Sequence, residues 1–598
     1  MANRSAEPSQ LWQPHVLREY SFIADGERGA LIGPDGSMVW LCAPRWDSRP
    51  VFTALLGGRS GYLVTPADPW RVWGGYYEPG SLIWRSRWVG AEVIECREAL
   101  ALPSDEHRLV VLRRIEAVEG PARVDVTLDL DIGRGRGAGE LKRAKRCWSG
   151  RAGDLHFRWS GAPRATRDKD GRLTARITVP RGQHLDLVLE ISDRPLDKAA
   201  PDPGALWAAT EEAWTAQDLD CANLIASRDA RHAYAVLSGL TSRSGAMVAA
   251  ATTSLPERLG GIRNYDYRYA WIRDQCYAGL AMAAHGADSK LAGTVGFITE
   301  RLLSDGPDLA PAYTVTGGRI PPERNVRLPG YPGATPRVGN RVRTQFQLDC
   351  FGESLQLLAA AARRDVLSAE DWRAAELATE AIEQCWHRPD AGIWELDDQL
   401  WTHSRLACVA GLRAIAAVAT HSPSLAARWS GLADSVLASL DNCVHPSGRW
   451  QRTPADDRVD AALLLSFIRG AVPVDDPRSK ATMEAVEREL TDDGFVYRFN
   501  DGSGPHGHAE GSRSAGHAEG AFLLCGFWMA LAAHVRGDDV QAAHWFERSR
   551  SACGPGALYT EEYATHQRQQ RGNLPQAFVH AAMLESAVRL SDRASLGY

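Results

Sequence analysis

Long apolar runs are missing from this chain. The longest one, at about residues 521–535, is shorter than the roughly 20 residues that a membrane-spanning helix needs. The N-terminal sequence MANRSAEPSQLWQPH also lacks the apolar segment of a secretory signal. We therefore predict a protein of the cytoplasm without a membrane partner.

The sequence also shows no pattern for a disulfide framework, a zinc ribbon or a nucleic-acid-binding surface. The 11 cysteines are odd in number, scattered from Cys42 to Cys553 and free of C-x-x-C pairs, which favours reduced, buried thiols. The net charge of −6 comes without a long run of one sign, which argues against a nucleic-acid partner. Charged residues at 24% and apolar residues at 44% are typical of a globular protein. The sequence does not fix the oligomeric state, and a homo-oligomer is one of the states left open.

The first third of the chain has the pattern of antiparallel β-strands. At 598 residues the chain is too long for a single core, so several domains are expected. Short β-branched or aromatic runs, separated by Gly, Pro and Asp, predict a β-sandwich over roughly residues 15–195, within a domain at 1–200. The runs are SMVWLCAP, LIWRSRWVG, RLVVLRRIEAV, ARVDVTLDLDI, LHFRWSG, RLTARITVP and HLDLVLEIS.

From about residue 228 the periodicity becomes helical. Residues 201–228 are predicted to form a helical linker, and residues 229–598 a domain of about a dozen helices. Six helical hairpins that close into an (α/α)6 toroid barrel fit this number, and a solenoid also fits, although no fixed-period repeat is present. The predicted helices are 231–240, 269–284, 290–303, 353–363, 369–385, 404–420, 424–440, 459–467, 479–490, 519–535, 539–551 and 575–590.

The stretch NYDYRYAWIRD, residues 264–274, combines four aromatic side chains with two arginines and two aspartates. Aromatic faces beside opposite charges suit a polar ligand with apolar CH faces, such as a sugar ring. The alternative is a half-buried helix start whose charges pair with each other. The apolar sequence CYAGLAMAAHG follows directly, so we interpret the stretch as the floor of a pocket.

Two carboxyl groups far apart in sequence have aromatic neighbours. Glu395 follows Trp394 in GIWEL, and an indole against a carboxyl excludes water and favours the protonated form that a general acid needs. Glu561 lies in YTEEY. Such a pair meets the needs of glycoside hydrolysis, with inversion at a separation of roughly 6.5–9.5 Å and retention at about 5 Å. The other interpretation is that both are ordinary surface carboxylates.

A histidine-rich loop is the remaining candidate for a site. His506, His508 and His517 lie near Glu510 and Glu519, but their spacing fits no closed zinc set. We predict no metal there.

The chain resembles glycoside hydrolase family 15, the bacterial glucoamylases, trehalases and their relatives, over nearly its whole length. The resemblance implies a β-sandwich followed by an (α/α)6 barrel, and inverting removal of glucose from non-reducing ends without an organic cofactor. The blocks that carry it are ADGERGALIGPDGSMVWLCAPRWDS, TTSLPERLGGIRNYDYRYAWIRD, QFQLDCFGE, GIWE, EGAFLLCGFW and GNLPQAFVHAAM.

The resemblance implies roles for individual residues. Glu395 falls on the general acid of the family, and Glu561 falls on its general base. Arg273 and Asp274 fall on the pair that grips hydroxyl groups of the terminal glucose. Further residues are expected to contact the sugar: Trp271, Trp394, Tyr265, Arg498 and Glu562.

Departures from the family pattern bear on the leaving group rather than on the two glutamates. Tyr265 replaces the usual Trp, and His403-Ser404-Arg405 replaces a Tyr-Ser-Lys pattern. The predicted activity is an exo-acting, inverting α-glucoside hydrolase of the glucoamylase type, acting on an α-linked oligosaccharide or glucoside. The alternatives are an α,α-trehalase of the same family, a phosphorolytic enzyme, and a sugar-binding protein without activity.

Overall fold

The computed structural model describes residues 12–130, 141–144, 147–197, 199–258, 263–500 and 519–592. Its N-terminal part is built from strands. In chain order they are β1 (Ser21–Ala24), β2 (Gly29–Ile32), β3 (Ser37–Cys42), β4 (Pro50–Phe52), β5 (Gly61–Pro66), β6 (Val72–Tyr77), β7 (Trp84–Val89), β8 (Val93–Leu100), β9 (Arg108–Glu119), β10 (Ala122–Asp129), β11 (Lys142–Arg143), β12 (Cys147–Ala152), β13 (Leu155–Ser160), β14 (Thr166–Arg167), β15 (Leu173–Val179) and β16 (His184–Ser192).

These strands form two antiparallel sheets that pack face to face. The first has the order β1-β2-β3-β5-β10-β15-β14, with β4 beside β3, and the second has the order β11-β12-β13-β16-β9-β8-β7-β6. Tyr62, Trp84, Trp88 and Trp159 are among the large side chains of the core between them, each at most 1% exposed. The predicted sandwich is thus confirmed, because the apolar faces of the two sheets meet in this core.

The C-terminal part is helical. Its helices, with the one that precedes them, are α1 (Pro203–Gln217), α2 (Ser227–Leu240), α3 (Ile272–His285), α4 (Asp288–Asp305), α5 (Asp349–Ala362), α6 (Ala369–Cys385), α7 (Thr402–Val418), α8 (Pro423–Ala438), α9 (Leu465–Ile468), α10 (Pro477–Glu489), α11 (Leu523–Val535), α12 (Asp539–Arg550) and α13 (Ala577–Ser591). No helix within the described ranges is both long enough and apolar enough to cross a membrane.

The helices close into a toroid of two concentric rings, which confirms the predicted (α/α)6 barrel. In the inner ring α3, α5, α7, α9, α11 and α13 follow one another, and α13 returns to contact α3. The outer partners are α2, α4, α6, α8, α10 and α12. The inner helices are apolar on nearly every side, as in α11, because they face both the barrel axis and the outer ring.

Between the helices lie short paired strands. They are β17 (Ala270–Trp271), β18 (Ala312–Tyr313), β19 (Arg324–Asn325), β20 (Arg337–Val338), β21 (Thr491–Asp492), β22 (Phe495–Val496), β23 (Ala521–Phe522), β24 (Glu562–Ala564) and β25 (Gln569–Arg571). The pair β23–β24 places Phe522 opposite Glu562, so it brings the start of α11 against the YTEEY segment.

The sandwich packs against the barrel through one continuous apolar cluster. The indole N–H of Trp40 on β3 donates to the Ala251 carbonyl at 2.9 Å, and the guanidinium of Arg268 donates to the Ser48 carbonyl at 2.9 Å. Helix α1 lies on the sandwich, where the guanidinium of Arg97 stacks 4.4 Å from the ring centroid of Trp207. The domain boundaries at 200 and 228 stay a prediction.

One predicted helix begins later than expected. The sequence predicts helix from Tyr269, whereas α3 begins at Ile272. The carbonyls of Tyr267 and Tyr269 accept hydrogen bonds from the N–H groups of Ala250 and Ala249, at 2.9 and 2.8 Å. The stretch before α3 is therefore extended and paired with a neighbouring segment, and its side chains alternate between two faces.

Candidate active site

A pocket of about 750 Å³, its open mouth included, lies at the end of the barrel where the inner helices begin. Helices α3, α11 and α13 each contribute residues from their first turns or from the residue just before them. The charged residues that line it are Glu257, Arg263, Arg273, Asp274, Glu395, Arg498 and Glu561. The aromatic ones are Tyr265, Tyr267, Trp271, Tyr277, Trp394, Phe522 and Phe578.

The extended stretch before α3 forms one wall of this pocket. Tyr265, Tyr267 and Trp271 line the cavity, whereas Tyr269, which lies between them, is buried in a small apolar cluster and does not. The rings of Tyr265 and Tyr267 stack at 6.3 Å, and Tyr267 meets the edge of Trp271 at 5.5 Å. The wall is therefore a continuous aromatic surface.

Asp266 and Arg268 lie on the opposite face of the same stretch. Arg268 donates through two nitrogens to Asp266, both at 2.8 Å, and the two residues are at most 1% exposed. For these two residues the alternative interpretation holds, because their charges pair with each other. Their contacts lie toward the β-sandwich and away from the pocket.

Glu395 is presented by a strained turn. Its backbone φ of 56° lies in the left-handed region, and its N–H donates to the Gly392 carbonyl at 3.1 Å. Such strain in a residue other than glycine is typical of functional sites. Trp271 donates its indole N–H to Oε1 of Glu395 at 2.7 Å, and a guanidinium nitrogen of Arg273 lies 3.7 Å from the same oxygen.

The indole that contacts Glu395 is therefore Trp271 and not its sequence neighbour Trp394. The indole N–H of Trp394 donates to Asp460 at 2.9 Å. Its ring still lines the pocket, packed against Phe522 at 5.4 Å and Trp528 at 6.0 Å. Adjacency in sequence was misleading because Asp460, rather than Glu395, accepts the indole N–H of Trp394.

Glu561 lies just before β24 and is 6% exposed. The hydroxyl of Tyr267 lies 2.9 Å from Oε2 and 3.2 Å from Oε1, and its one proton is donated to this carboxyl. Burial, together with the nearby carboxyls of Glu257 and Glu562, raises the pKa of Glu561 well above its usual value. A carboxylate of this kind gains strongly by taking up a proton, as a general base does.

Glu257 is a third carboxyl in the pocket, and the sequence did not single it out. It is 6% exposed, and the hydroxyl of Tyr267 lies 3.4 Å from its Oε1. Burial is the main cause that raises the pKa of Glu257. Its local sequence, SLPERL, has no aromatic neighbour and no periodicity, so the only available signal was its place in a block shared with the family.

Arg273 and Asp274 open α3, and they are held differently. Arg273 donates to Gln347 at 2.8 Å and to Asp349, the first residue of α5, at 2.9 Å. Asp274 is 3% exposed, and its Oδ1 has no hydrogen-bond partner within the described part of the chain. Burial raises the pKa of Asp274 to about 7. A buried acceptor without a partner at a pocket wall is a place for donor groups of a ligand.

Arg498 and Glu562 complete the predicted set, but only one of them lines the pocket. Arg498 forms an ion pair with Glu519 and lies over the rings of Trp394 and Phe522, at 5.3 and 4.6 Å. Glu562 is fully buried, accepts the N–H of Gly520 at 3.0 Å and is not a lining residue. Successive side chains of an extended segment point to opposite sides, so Glu561 faces the cavity and Glu562 lies behind the wall.

The histidine-rich loop and the expected lack of a metal there stay predictions. His506, His508, His517 and Glu510 lie outside the described residues, so the structure does not describe the histidine-rich loop. Within the described ranges no cluster of three or more His, Cys, Asp or Glu side chains could hold a metal ion.

The mouth of the pocket continues past Glu395 into an open cleft of about 1300 Å³, adjoining solvent space included. Arg263, Glu395 and Leu396 line both spaces. Arg341 also lines the cleft, and its guanidinium lies 5.6 Å from the ring centroid of Tyr265. His403 and Arg405 are buried on α7 behind this surface and do not line the cleft.

Sequence comparisons identify family models and relatives that match the chain. The family model described as glycosyl hydrolases family 15 matches residues 231–588, and the model described as trehalase-like, N-terminal matches residues 12–147. A trehalase of Mycolicibacterium smegmatis is 30% identical over 96% of this chain and 91% of its own length. A trehalase of Mycobacterium tuberculosis is 30% identical over 99% of this chain and 92% of its own length.

A solved structure extends the likeness to the fold. A bacterial glucoamylase complexed with acarbose matches with a TM-score of 0.68 at 14% identity, covering 98% of this chain and 96% of its own. At that identity the match shows a common fold, a sandwich followed by an (α/α)6 barrel. The family model covers more than half of the chain, and the chain is therefore a glycoside hydrolase that belongs to glycosyl hydrolases family 15.

Proposed function

We propose that the protein is an α,α-trehalase that hydrolyses its substrate with inversion. The observation that carries the proposal is one pocket in which Glu395 and Glu561 are held by two different aromatic donors, Trp271 and Tyr267. The choice of trehalose over a longer α-glucan rests on the relatives named trehalase, which align with this chain over nearly their whole length.

Proton transfer is assigned to the two glutamates. Glu395, at the junction of the pocket and the open cleft, protonates the glycosidic oxygen as the bond to the leaving glucose breaks. Glu561 removes a proton from a water molecule that attacks the anomeric carbon from the other face. Trp271 keeps the Glu395 carboxyl aimed at the leaving oxygen, since its indole N–H fixes Oε1.

The reacting glucose is held by Arg273 and Asp274. The free oxygen of Asp274 accepts from sugar hydroxyls, and Arg273, fixed by Asp349, donates to the ring substituents. Both arise from the first turn of an inner helix, which makes their positions rigid. The leaving glucose occupies the cleft beyond Glu395, beside Tyr265 and Arg341.

The test of the activity is glucose release from trehalose, maltose, isomaltose, nigerose and kojibiose in parallel, with NMR to follow the product anomers. An inverting trehalase releases α- and β-glucose in equal amounts from trehalose, because the leaving unit keeps its configuration. Only α-glucose would contradict inversion. Preference for maltose would favour a glucoamylase-type activity over a trehalase. Strict dependence on phosphate, with glucose 1-phosphate as product, would show that the enzyme is a phosphorylase and not a hydrolase.

The test of the two glutamates uses isosteric variants. We expect Glu395→Gln and Glu561→Gln each to lower kcat by about a thousandfold or more, because proton transfer is lost while the side-chain shape stays. Glu487→Gln, at an exposed position on α10, is the matched control and should retain full activity. A variant at Glu395 or Glu561 with near wild-type turnover would remove that residue from its role.

A further inference from the structure

Glu257, Tyr267 and Glu561 form a cluster inside the pocket that the two-glutamate mechanism leaves partly unexplained. The hydroxyl of Tyr267 lies 2.9 Å from Glu561 and 3.4 Å from Glu257. The two carboxyls are also close enough to form a hydrogen bond with each other. A backbone contact holds their segments together, since the N–H of Gly572 donates to the Pro256 carbonyl at 2.9 Å.

The number of protons in this cluster can be worked out from its donors. A tyrosine hydroxyl has one proton, so it cannot satisfy two carboxylates at once. Two buried carboxylates in contact repel each other, and a proton shared between them removes that repulsion. Burial raises the pKa of Glu257 and raises that of Glu561 well above its usual value, the direction in which the pair retains a proton. The contact between the two carboxyls lowers the pKa of Glu257, so these shifts alone favour the proton on Glu561, and the contacts of Tyr267 are what decide otherwise.

The geometry indicates which carboxyl is ionised. Tyr267 makes its shorter hydrogen bond to Glu561, and a hydroxyl donates preferentially to an anion. The charged groups around Glu257 balance only in part: Arg263 and Arg498 attract a negative charge there, whereas the carboxyls of Glu519, Glu561 and Glu562 oppose it. The phenols of Tyr265 and Tyr267 have raised pKa values and stay neutral, so they add no charge.

We propose that Glu257 carries the shared proton and donates a hydrogen bond to Glu561, which makes Glu257 a positioning residue for the general base. This inference rests on the proposed role of Glu561 as the base. When Glu561 takes a proton from the attacking water, the pair goes from one proton to two. It returns to one by losing a proton to solvent after product release, while Glu395 regains one.

The test compares two variants that differ only in whether a donor remains. Glu257→Gln keeps an N–H donor for Glu561, so the acid limb of the pH profile of kcat should stay within about 0.3 pH units of the wild type. Glu257→Leu removes the donor and leaves the base buried without it. We expect kcat to fall roughly ten- to a hundredfold and the acid limb to move about one unit or more toward higher pH.

Two outcomes would overturn the proposal. If Glu257 were the ionised member, Glu257→Gln would remove a negative neighbour, and the acid limb would move to lower pH. If Glu257 had no role in the reaction, Glu257→Leu would keep the wild-type profile. Far-UV circular dichroism and the thermal midpoint check folding, and a folded Glu257→Gln enzyme keeps the test decisive where Glu257→Leu does not fold.

A control separates this effect from general loss of a buried carboxyl. Glu98 on β8 is fully buried and paired with Arg113 in the sandwich, and burial raises its pKa as well. Glu98→Gln should leave the pH profile of kcat unchanged. The proposed function fails on a different result, since a fully active Glu561→Gln enzyme would refute the role of Glu561 as the base. If Glu561→Gln is inactive but Glu257→Leu has the wild-type pH profile, only this inference is refuted.

Discussion

Two Asp/Arg pairs lie within residues 264–274, and the fold uses them in opposite ways. Asp266 and Arg268 bind each other through two hydrogen bonds of 2.8 Å and anchor the barrel to the sandwich. Arg273 and Asp274 are split: Arg273 is held by Asp349, and one oxygen of Asp274 at the pocket has no partner among the residues that the structure describes. Two pairs of the same residue types in one short stretch therefore differ in role: one pair stabilises the contact between the domains, and the other is available to a ligand.

The largest effect should come from the split pair. We expect Asp274→Asn to lower kcat/KM by about a hundred- to ten-thousandfold on the preferred substrate, because hydrogen bonds from sugar hydroxyls to a charged acceptor are lost. Steady-state kinetics measure the change. A decrease of less than about tenfold would show that Asp274 does not grip the reacting sugar.

Loss of the ion pair between Asp266 and Arg268 should affect the stability of the fold more than the chemical step. Arg268→Met leaves Asp266 buried and unpaired, so we expect a loss of about 3–5 kcal/mol in the free energy of unfolding. Urea denaturation followed by tryptophan fluorescence measures it. The double variant Asp266→Asn with Arg268→Met removes both charges and should recover most of this loss. Equal destabilisation of single and double variants would contradict the pairing.

The pH dependence of stability also distinguishes Asp274 from the paired Asp266. Burial raises the pKa of Asp274 to about 7 in the folded state, above the value of about 4 in an unfolded chain. The folded state then binds more protons at this group, so its contribution to stability is fully present below about pH 4 and falls by about 1 kcal/mol per unit as pH rises to about 7. Asp274→Asn should flatten this slope relative to the wild type in urea titrations at several pH values.

Parallel stability curves for the two proteins would refute the raised pKa of Asp274. Burial also raises the pKa of Glu353 and of Asp390 to about 7. Both groups remain in the wild type and in the variant, so the difference between the curves isolates Asp274.

The smallest effect is expected at the mouth of the pocket. Tyr265 stacks on Tyr267 and lies beneath the guanidinium of Arg341 at 5.6 Å. Tyr265→Trp keeps an aromatic face there, so we expect a change in KM of about two- to fivefold with kcat nearly constant. A large loss of kcat instead would place Tyr265 in the chemical step rather than beside the leaving group.

Local patterns predicted many of the elements well. Helix α6 spans Ala369–Cys385 as predicted, because Ser368 and Asp371 form a capping box at its start. Strand β16 also matches, at His184–Ser192. In contrast, β8 was missed, since Glu95, Arg97 and Glu98 are buried in it and break the expected alternation. Their charges are satisfied by partners on β7, on β9 and in the segment after β6, which a local pattern cannot reveal.

The sequence predicted which residues line the candidate site better than it predicted how they are arranged. Glu395, Glu561, Arg273 and Asp274, all named from the sequence, line one pocket. Their assigned roles stay predictions. The contact of Trp271 with Glu395, the withdrawal of Glu562 behind the wall and the approach of Glu257 to Glu561 depend on residues distant in the chain.

The sequence by itself determined the two-part architecture, the family and the residues that carry charge into the pocket, because periodicity and short motifs are local properties. Only the tertiary structure decided how those charges are divided. Whether an aspartate beside an arginine is neutralised depends on which face of an extended stretch it occupies and on what packs there. Asp266 lies on the face where Arg268 packs against it, and Asp274 lies on the face that borders the open pocket.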